Sequence, residues 1–265
     1  MITLTSDFGS PYPAAMKGVL CAHTDARLVD VAHDFPRQDV RTTAFWLREV
    51  LPYFPPATHL VVVDPGVGTD RAALVIRAGG HVLVGPDNGV LAPVVGRLAD
   101  RPGGAPNDAE SGADVEPFEI VDDDPASATF HGRDVFAPAA ALAHEAGADH
   151  LGECEEFVPT DGYEDCRFPE PEVRDGDATG EVLVVDGFGN AVTNVPGEVL
   201  DGRFGDRIAV DGERAPVARS YAQVAAGERL VTVGSHGNVE LAANRGRGDE
   251  AFGVGIGDPI DLAFK

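Results

Sequence analysis

The chain has 265 residues, with 44 acidic and 20 basic side chains, a net charge of −24 and 43% hydrophobic residues. That apolar content supports a packed core and excludes a disordered acidic tail, while the scarcity of clustered cations excludes a duplex-binding surface, so no nucleic-acid partner is expected. No apolar run is long enough to cross a bilayer and no leader is expected before Ile2, so the reading is a soluble, cytoplasmic protein without a membrane partner.

The opening residues ITLTSDFG read as a short buried strand, with Ile2 and Leu4 facing one way, that ends in a polar turn at Asp7 and Gly9. A helix is predicted over 14–23, a strand over 27–32 and a helix over 42–53, the last stopped by prolines 52, 55 and 56. Residues 59–63 form a continuous apolar strand running into DPGVG. Residues 74–77 and 81–84 read as a hairpin, and a helix follows over 90–98. Residues 101–116, rich in Gly, Pro, Asp and Glu, read as a surface excursion, after which the pattern resumes at Phe118 with a helix over 134–146. Alternation of strand and helix predicts an α/β domain over 1–170 with a mainly parallel central sheet. Residues 169–179 read as a linker. Beyond it, short strands over 181–185, 207–210, 230–233, 239–241 and 260–263, with Gly- and Asp-rich turns and no convincing helix, predict a small antiparallel β-barrel over 171–265.

Only Lys17 and Lys265 are lysines; every other cation is arginine, and the acids are dispersed. Dispersed acidity with little lysine fits a protein kept soluble by self-repulsion in concentrated salt, where screening shortens to about 3 Å at 1 M, so a halophilic cytoplasm is inferred. Cys21, Cys154 and Cys166 lack CxxC spacing, which gives neither a disulfide framework nor a zinc site. The histidines are scattered without an HExxH motif, and no metal centre is expected.

In open α/β sheets ligands gather at the carboxyl ends of strands, which selects Asp7, Asp64 and the loop 130–134. Each also has a plain reading. Asp7 suits a helix cap or a turn, Asp64 begins a turn before Pro65, His131 is a loop histidine, and Arg133 with Asp134 makes a local ion pair. DPGVG lacks the GK[ST] ending of a phosphate loop, and GxGxxG is absent after the first strand.

The segments TSDFG (5–9), VDPGVGTDR (63–71), VGPDNG (84–89), FHGRDVFAP (130–138), DGFGNAVTN (186–194) and GSHGNVEL (234–241) together resemble the S-adenosyl-L-methionine (SAM) hydroxide adenosyltransferase family. The likeness spans nearly the whole chain. It implies hydrolysis of SAM, as substrate and not cofactor, to adenosine and L-methionine, by an N-terminal α/β domain with a C-terminal β-barrel. It also implies a homotrimer with the active site between subunits. The family's catalytic Asp–Arg–His set falls on Asp64, Arg71 and His131. Asp64 is expected to polarise the attacking water, with Arg71 as its charge partner. Attack at the ribose C5′ expels a neutral thioether, so the demand falls on the nucleophile, water, whose pKa is about 15.7.

Further roles implied by the resemblance place Asp7 on the ribose hydroxyls beside Phe8. Asp186 and Asn190 match contacts to the methionine amino group or the adenosyl edge, and Ser235 and Glu240 match adenine and methionine contacts, with Tyr221 lining the pocket. Phe188 either stacks or packs, and Asn190 equally suits a turn. The related halogenases carry Tyr at the positions of Asp64 and His131, and the fluorinase presents a hydroxyl at the position of Gly132, where the chlorinase has Gly. A carboxylate about 4 Å from a halide repels it by about 4 kcal/mol at an effective dielectric near 20, so hydrolysis is the favoured reading. Halogenase-like nucleophile transfer and non-catalytic SAM binding are the alternatives.

Overall fold

A computed structural model describes residues 1–99, 115–121 and 129–264. Most of the predicted excursion over 101–116 lies outside these residues. The chain divides into two compact units, 1–167 and 168–265.

In the first unit, strands β1 (Ile2–Ser6), β2 (Leu28–Ala32), β3 (Thr58–Val62), β4 (Ala73–Ala78), β5 (His81–Pro86), β6 (Val115–Ile120) and β7 (Phe157–Pro159) form one sheet in the order β2-β1-β3-β5-β4-β6-β7. Strands β2, β1, β3 and β5 run parallel, and β4, β6 and β7 extend the sheet antiparallel. Every residue of β1 and β3 is buried, as expected of parallel strands covered on both faces. Alternation along β3 sorts the two cores. Leu60 and Val62 join Ile2, Leu4, Met16, Leu20 and Phe136 on one side, under helices α1 (Tyr12–His23) and α4 (Ala137–Ala146). Val61 and Val63 join Leu47, Leu83, Val94 and Leu98 on the other, under α2 (Val40–Val50) and α3 (Ala92–Ala99). Asp39 caps α2 by accepting a hydrogen bond from the Thr42 backbone N–H at 2.9 Å.

Most polar side chains described inside this unit are paired, the hydroxyls of Thr5 and Thr42 being exceptions. His59 on β3 is fully buried between the Thr3 hydroxyl, 2.8 Å away, and His81, 2.9 Å away. Burial, aided by His81, lowers its pKa to about 3 and keeps it neutral.

The second unit is a nearly closed antiparallel barrel. Its strands are β8 (Glu172–Arg174), β9 (Asp177–Val185), β10 (Ala191–Pro196), β11 (Arg207–Val210), β12 (Glu213–Pro216), β13 (Arg229–Val233), β14 (Asn238–Ala243) and β15 (Pro259–Ala263), in the order β12-β11-β15-β9-β10-β14-β13 with β8 paired to β9. Val217 bridges to Val231, bringing the chain just after β12 onto β13. The barrel interior holds Val182, Val195, Ile208, Val231, Leu241 and Ile260. Two expectations are corrected here. The stretch read as a linker over 169–179 carries β8 and the start of β9, which pair with each other from Glu172↔Thr179 to Arg174↔Asp177. The barrel also contains a short helix, α5 (Gly248–Phe252), too brief to leave a helical period in the sequence.

Candidate active site

The parallel register of the first unit brings two carboxylates side by side. Ser6 at the end of β1 pairs with Val62 at the end of β3, so Asp7 and Asp64 follow from adjacent strand ends. There they line a small pocket of about 110 Å³ with Phe8, Val62, Val67, Thr129, Phe130, His131 and Gly132.

Asp64 is held tightly. Its Oδ1 accepts hydrogen bonds from the Gly66 backbone N–H at 3.0 Å and from Arg71 Nε at 2.9 Å, and its Oδ2 accepts from Arg71 Nη2 at 2.6 Å. The side chains of this fork are 5% (Asp64) and 10% (Arg71) exposed. Arg71 is fixed in turn by donating Nη1 to the Ala72 carbonyl and by lying 5.5 Å from the centre of the Phe136 ring. A carboxylate offers about four acceptor positions. Three are occupied, which leaves one, on Oδ2, without a partner among the described residues. The fork also revises the halide expectation. With Arg71 bidentate on Asp64 the pair is neutral overall, so a halide does not meet a bare carboxylate.

His131 immediately precedes a π-helical turn, Gly132–Phe136, that leads into α4; such turns recur at functional sites. Gly132 faces crowded surroundings. A Cβ there would lie 3.0 Å from Val62 Cγ1 and 3.1 Å from both Met16 Sδ and a Phe130 ring carbon, which leaves little room for a hydroxyl-bearing side chain. Arg133 and Asp134 make the local ion pair expected of them, at 2.6 Å. Phe8 packs edge-to-face against Tyr12 and Phe130, with ring centres 6.0 Å apart in each case, and forms an apolar wall. Among the described residues Asp7 caps no helix; its Oδ2 accepts a long-range hydrogen bond from the Gln38 backbone N–H at 2.6 Å, in the loop before α2.

All six residues singled out in the second half of the chain, Asp186, Phe188, Asn190, Tyr221, Ser235 and Glu240, line one pocket of about 780 Å³ in the second unit. Asp186 and Asn190 bracket the β9–β10 turn. Asp186 Oδ1 accepts from the backbone N–H groups of Phe188 and Asn190, both at 2.8 Å, and Oδ2 accepts from Asn190 Nδ2 at 2.9 Å. Asn190 thus serves the turn and the pocket together. Gly189 has φ +88°, and a Cβ there would come within 2.7 Å of the Arg247 side chain, so the turn requires glycine. Phe188 stands 83% exposed at the rim, so the packing reading is corrected: it contributes no core contact.

Glu240 projects from β14 into the pocket floor, with Oε1 directly over Gly234; a Cβ on Gly234 would lie 1.9 Å from it. Tyr221 donates its hydroxyl to Glu240 Oε2 at 3.3 Å. Burial, with Asp186 nearby, raises the Glu240 pKa against the opposing pull of that hydrogen bond. Arg219, Arg245 and Thr232 also line this pocket; they lie outside the motifs and carry no sequence signal that would have selected them. Among the described residues no group of three or more His, Cys, Asp or Glu side chains is placed to hold a metal ion, and no helix is long and apolar enough to cross a membrane.

The chain matches the family models for the SAM hydroxide adenosyltransferase N-terminal domain over residues 2–152 and C-terminal domain over residues 180–261. It is 41% identical to the (R)-S-adenosyl-L-methionine hydrolase of Salinispora tropica over 98% of this chain and 96% of that protein, and 40% identical to the Thermus thermophilus protein of the same name over 97% of each. Among solved structures, an uncharacterized conserved protein from Thermotoga maritima superposes with a TM-score of 0.82 at 32% identity, covering 99% of this chain and 100% of that one. A conserved hypothetical protein from Thermus thermophilus gives a TM-score of 0.73 at 36% identity over 98% of both chains.

Proposed function

The chain belongs to the SAM hydroxide adenosyltransferase family, and we propose that it hydrolyses SAM to adenosine and L-methionine through attack of water on the ribose C5′. The observation that carries this reading is the Asp64–Arg71 fork, whose carboxylate lines the same pocket as Asp7 and His131.

In this reading a water molecule donates a hydrogen bond to Asp64 Oδ2, which concentrates electron density on its oxygen and aims a lone pair at C5′. The new C5′–O bond forms as the C5′–S bond breaks. The bonding pair returns to sulfur, the sulfonium becomes a neutral thioether, and the water proton passes by way of Asp64 Oδ2 to solvent. Arg71 keeps Asp64 in one rotamer, and His131 stabilises the developing hydroxide. Asp7 accepts hydrogen bonds from the ribose hydroxyls. The pocket of about 110 Å³ is smaller than the roughly 300–1,000 Å³ typical of whole-ligand sites, so it is assigned to the reacting centre. The larger pocket takes the remainder, with Asp186 and Glu240 as carboxylate partners for the amino group and Phe188, Asn190, Tyr221 and Ser235 for the adenosyl and methionine edges. SAM is substrate throughout, and no cofactor is invoked.

The homotrimer belongs to the same proposal, the first unit of one subunit working with the second unit of a neighbour, in a cytoplasm of high salt. Assayed at SAM well below the raised KM of the Asp186 variant, co-expression of Asp64→Asn and Asp186→Asn subunits then restores part of the activity that each variant largely lacks alone under those conditions. One chain carrying both substitutions gives no such gain when co-expressed with either.

The test of the reaction is product analysis after incubation with SAM in molar chloride. Adenosine and methionine in equal amounts support the reading. A 5′-chlorinated nucleoside, or bound SAM that never turns over, rejects it in favour of nucleophile transfer or simple binding.

A further inference from the structure

Asp7 sits at the tip of β1, a position that a short polar turn alone would leave loose. Both of its flanks are tied to one residue of the neighbouring strand connection. On one side Ser6, fully buried, has its hydroxyl 2.7 Å from His33 Nδ1. On the other side the Gly9 backbone N–H donates to the His33 carbonyl at 2.8 Å.

His33 is itself braced. Its Nε2 lies 3.0 Å from Asp30 Oδ1, and Lys17 of α1 donates to Asp30 Oδ2 at 2.6 Å. Burial works to raise the Asp30 pKa, but the hydrogen bonds from Lys17 and His33 outweigh it and hold the carboxyl below its usual value. An ionised Asp30 only accepts, so His33 Nε2 donates to it, and Nδ1 is the ring atom that meets the Ser6 hydroxyl. A hydrogen-bonded chain therefore runs from Lys17 through Asp30 and His33 to Ser6, the residue before Asp7, and the side chain of His33 is only 17% exposed.

We propose that His33 is a positioning residue for Asp7, and that the Ser6–His33–Asp30–Lys17 chain sets the enzyme's preference for a ribose carrying its 2′-hydroxyl. The proposal rests on the reading of Asp7 as the ribose-binding carboxylate. A carboxylate that accepts two hydrogen bonds from a vicinal diol needs a fixed plane, and a turn clamped on both sides supplies one. Freed from His33, the turn still offers a carboxylate, held by the Gln38 backbone N–H, but the backbone that carries it is no longer clamped on both flanks.

The experiment compares KM and kcat for SAM, and competitive inhibition by adenosine against 2′-deoxyadenosine, in wild type, His33→Ala, His33→Asn, Asp7→Ala and the Asp7→Ala/His33→Ala double variant. Loss of one hydrogen-bonded support in His33→Ala is expected to raise KM about 5–10-fold with kcat within about twofold, and to erase most of the adenosine preference. His33→Asn, whose amide occupies the place of Nδ1, recovers most of that preference. The double variant is no worse than Asp7→Ala alone. An Asp7→Ala enzyme that keeps the wild-type preference refutes the ribose reading itself, and the proposal with it. If Asp7→Ala loses the preference while His33→Ala keeps it, the ribose reading stands and the positioning role falls. Should His33→Ala not fold, Asp30→Asn, at a half-exposed position, takes its place, with a smaller change in the same direction expected and an unchanged preference overturning the proposal.

Discussion

In the first unit Asp64 has three of its acceptor positions filled, two of them by Arg71, inside a pocket of about 110 Å³. In the second unit Asp186 and Glu240 line a pocket of about 780 Å³, and their partners are backbone N–H groups, the Asn190 amide and the Tyr221 hydroxyl. A carboxylate locked to an arginine carries little net charge but a fixed geometry, which suits aiming a neutral water at one carbon. Carboxylates hydrogen-bonded only to neutral donors, in a half-buried cleft, suit a ligand that brings a permanent positive charge. In the proposed reading the same side-chain chemistry serves a transition state in one pocket and recognition in the other.

The largest effect that sharpens this contrast is expected from Asp64→Asn. It keeps the shape of the fork and removes the charge, so kcat falls about 10²–10⁴-fold, the range of a lost general-base or polarising group, while KM stays within a few-fold. Steady-state kinetics reads both, and an equal rise in KM would erase the distinction between the pockets. Asp186→Asn is expected to do the reverse. Loss of one charge-assisted hydrogen bond raises KM about 10–100-fold with kcat nearly unchanged.

The third test uses pH. Glu240 holds its proton to higher pH than an ordinary carboxyl because it is buried near Asp186. As pH falls through that raised value, Glu240 becomes neutral and loses its attraction for a ligand cation. KM for SAM therefore rises on the acid side, beginning above the usual carboxylate range, and Glu240→Gln flattens this limb at a uniformly higher KM. The smallest effect is assigned to Phe188→Ala. An 83% exposed ring contributes no core packing, so thermal stability moves by less than about 0.5 kcal/mol while KM rises a few-fold; calorimetry together with kinetics separates the two.

The parallel core of the first unit was legible because its strands are buried on both faces and read as unbroken apolar runs, 59–63 above all. The strand-end rule then selected Asp7, Asp64 and the 130–134 loop from residues alone. Arg71 was not reachable that way. The stretch between it and Asp64 is a Pro- and Gly-containing turn to which no helical or strand period applies, and only the resemblance of VDPGVGTDR singled it out. In the barrel, β10 went unread because its Thr and Asn sit beside a Gly-rich turn, and β8 and β12 because they are short and largely exposed. Glu240 did leave a mark, a lone acid in the apolar run VELAA. Arg219 and Arg245 left none, since only barrel curvature brings them to the pocket.

The central claim is that Asp64 directs a solvent water at the ribose C5′. Turnover of SAM in ¹⁸O-labelled water tests it most directly. The account predicts one labelled oxygen in the 5′-hydroxyl of adenosine and none in methionine. Unlabelled adenosine, or label confined to methionine, would contradict it.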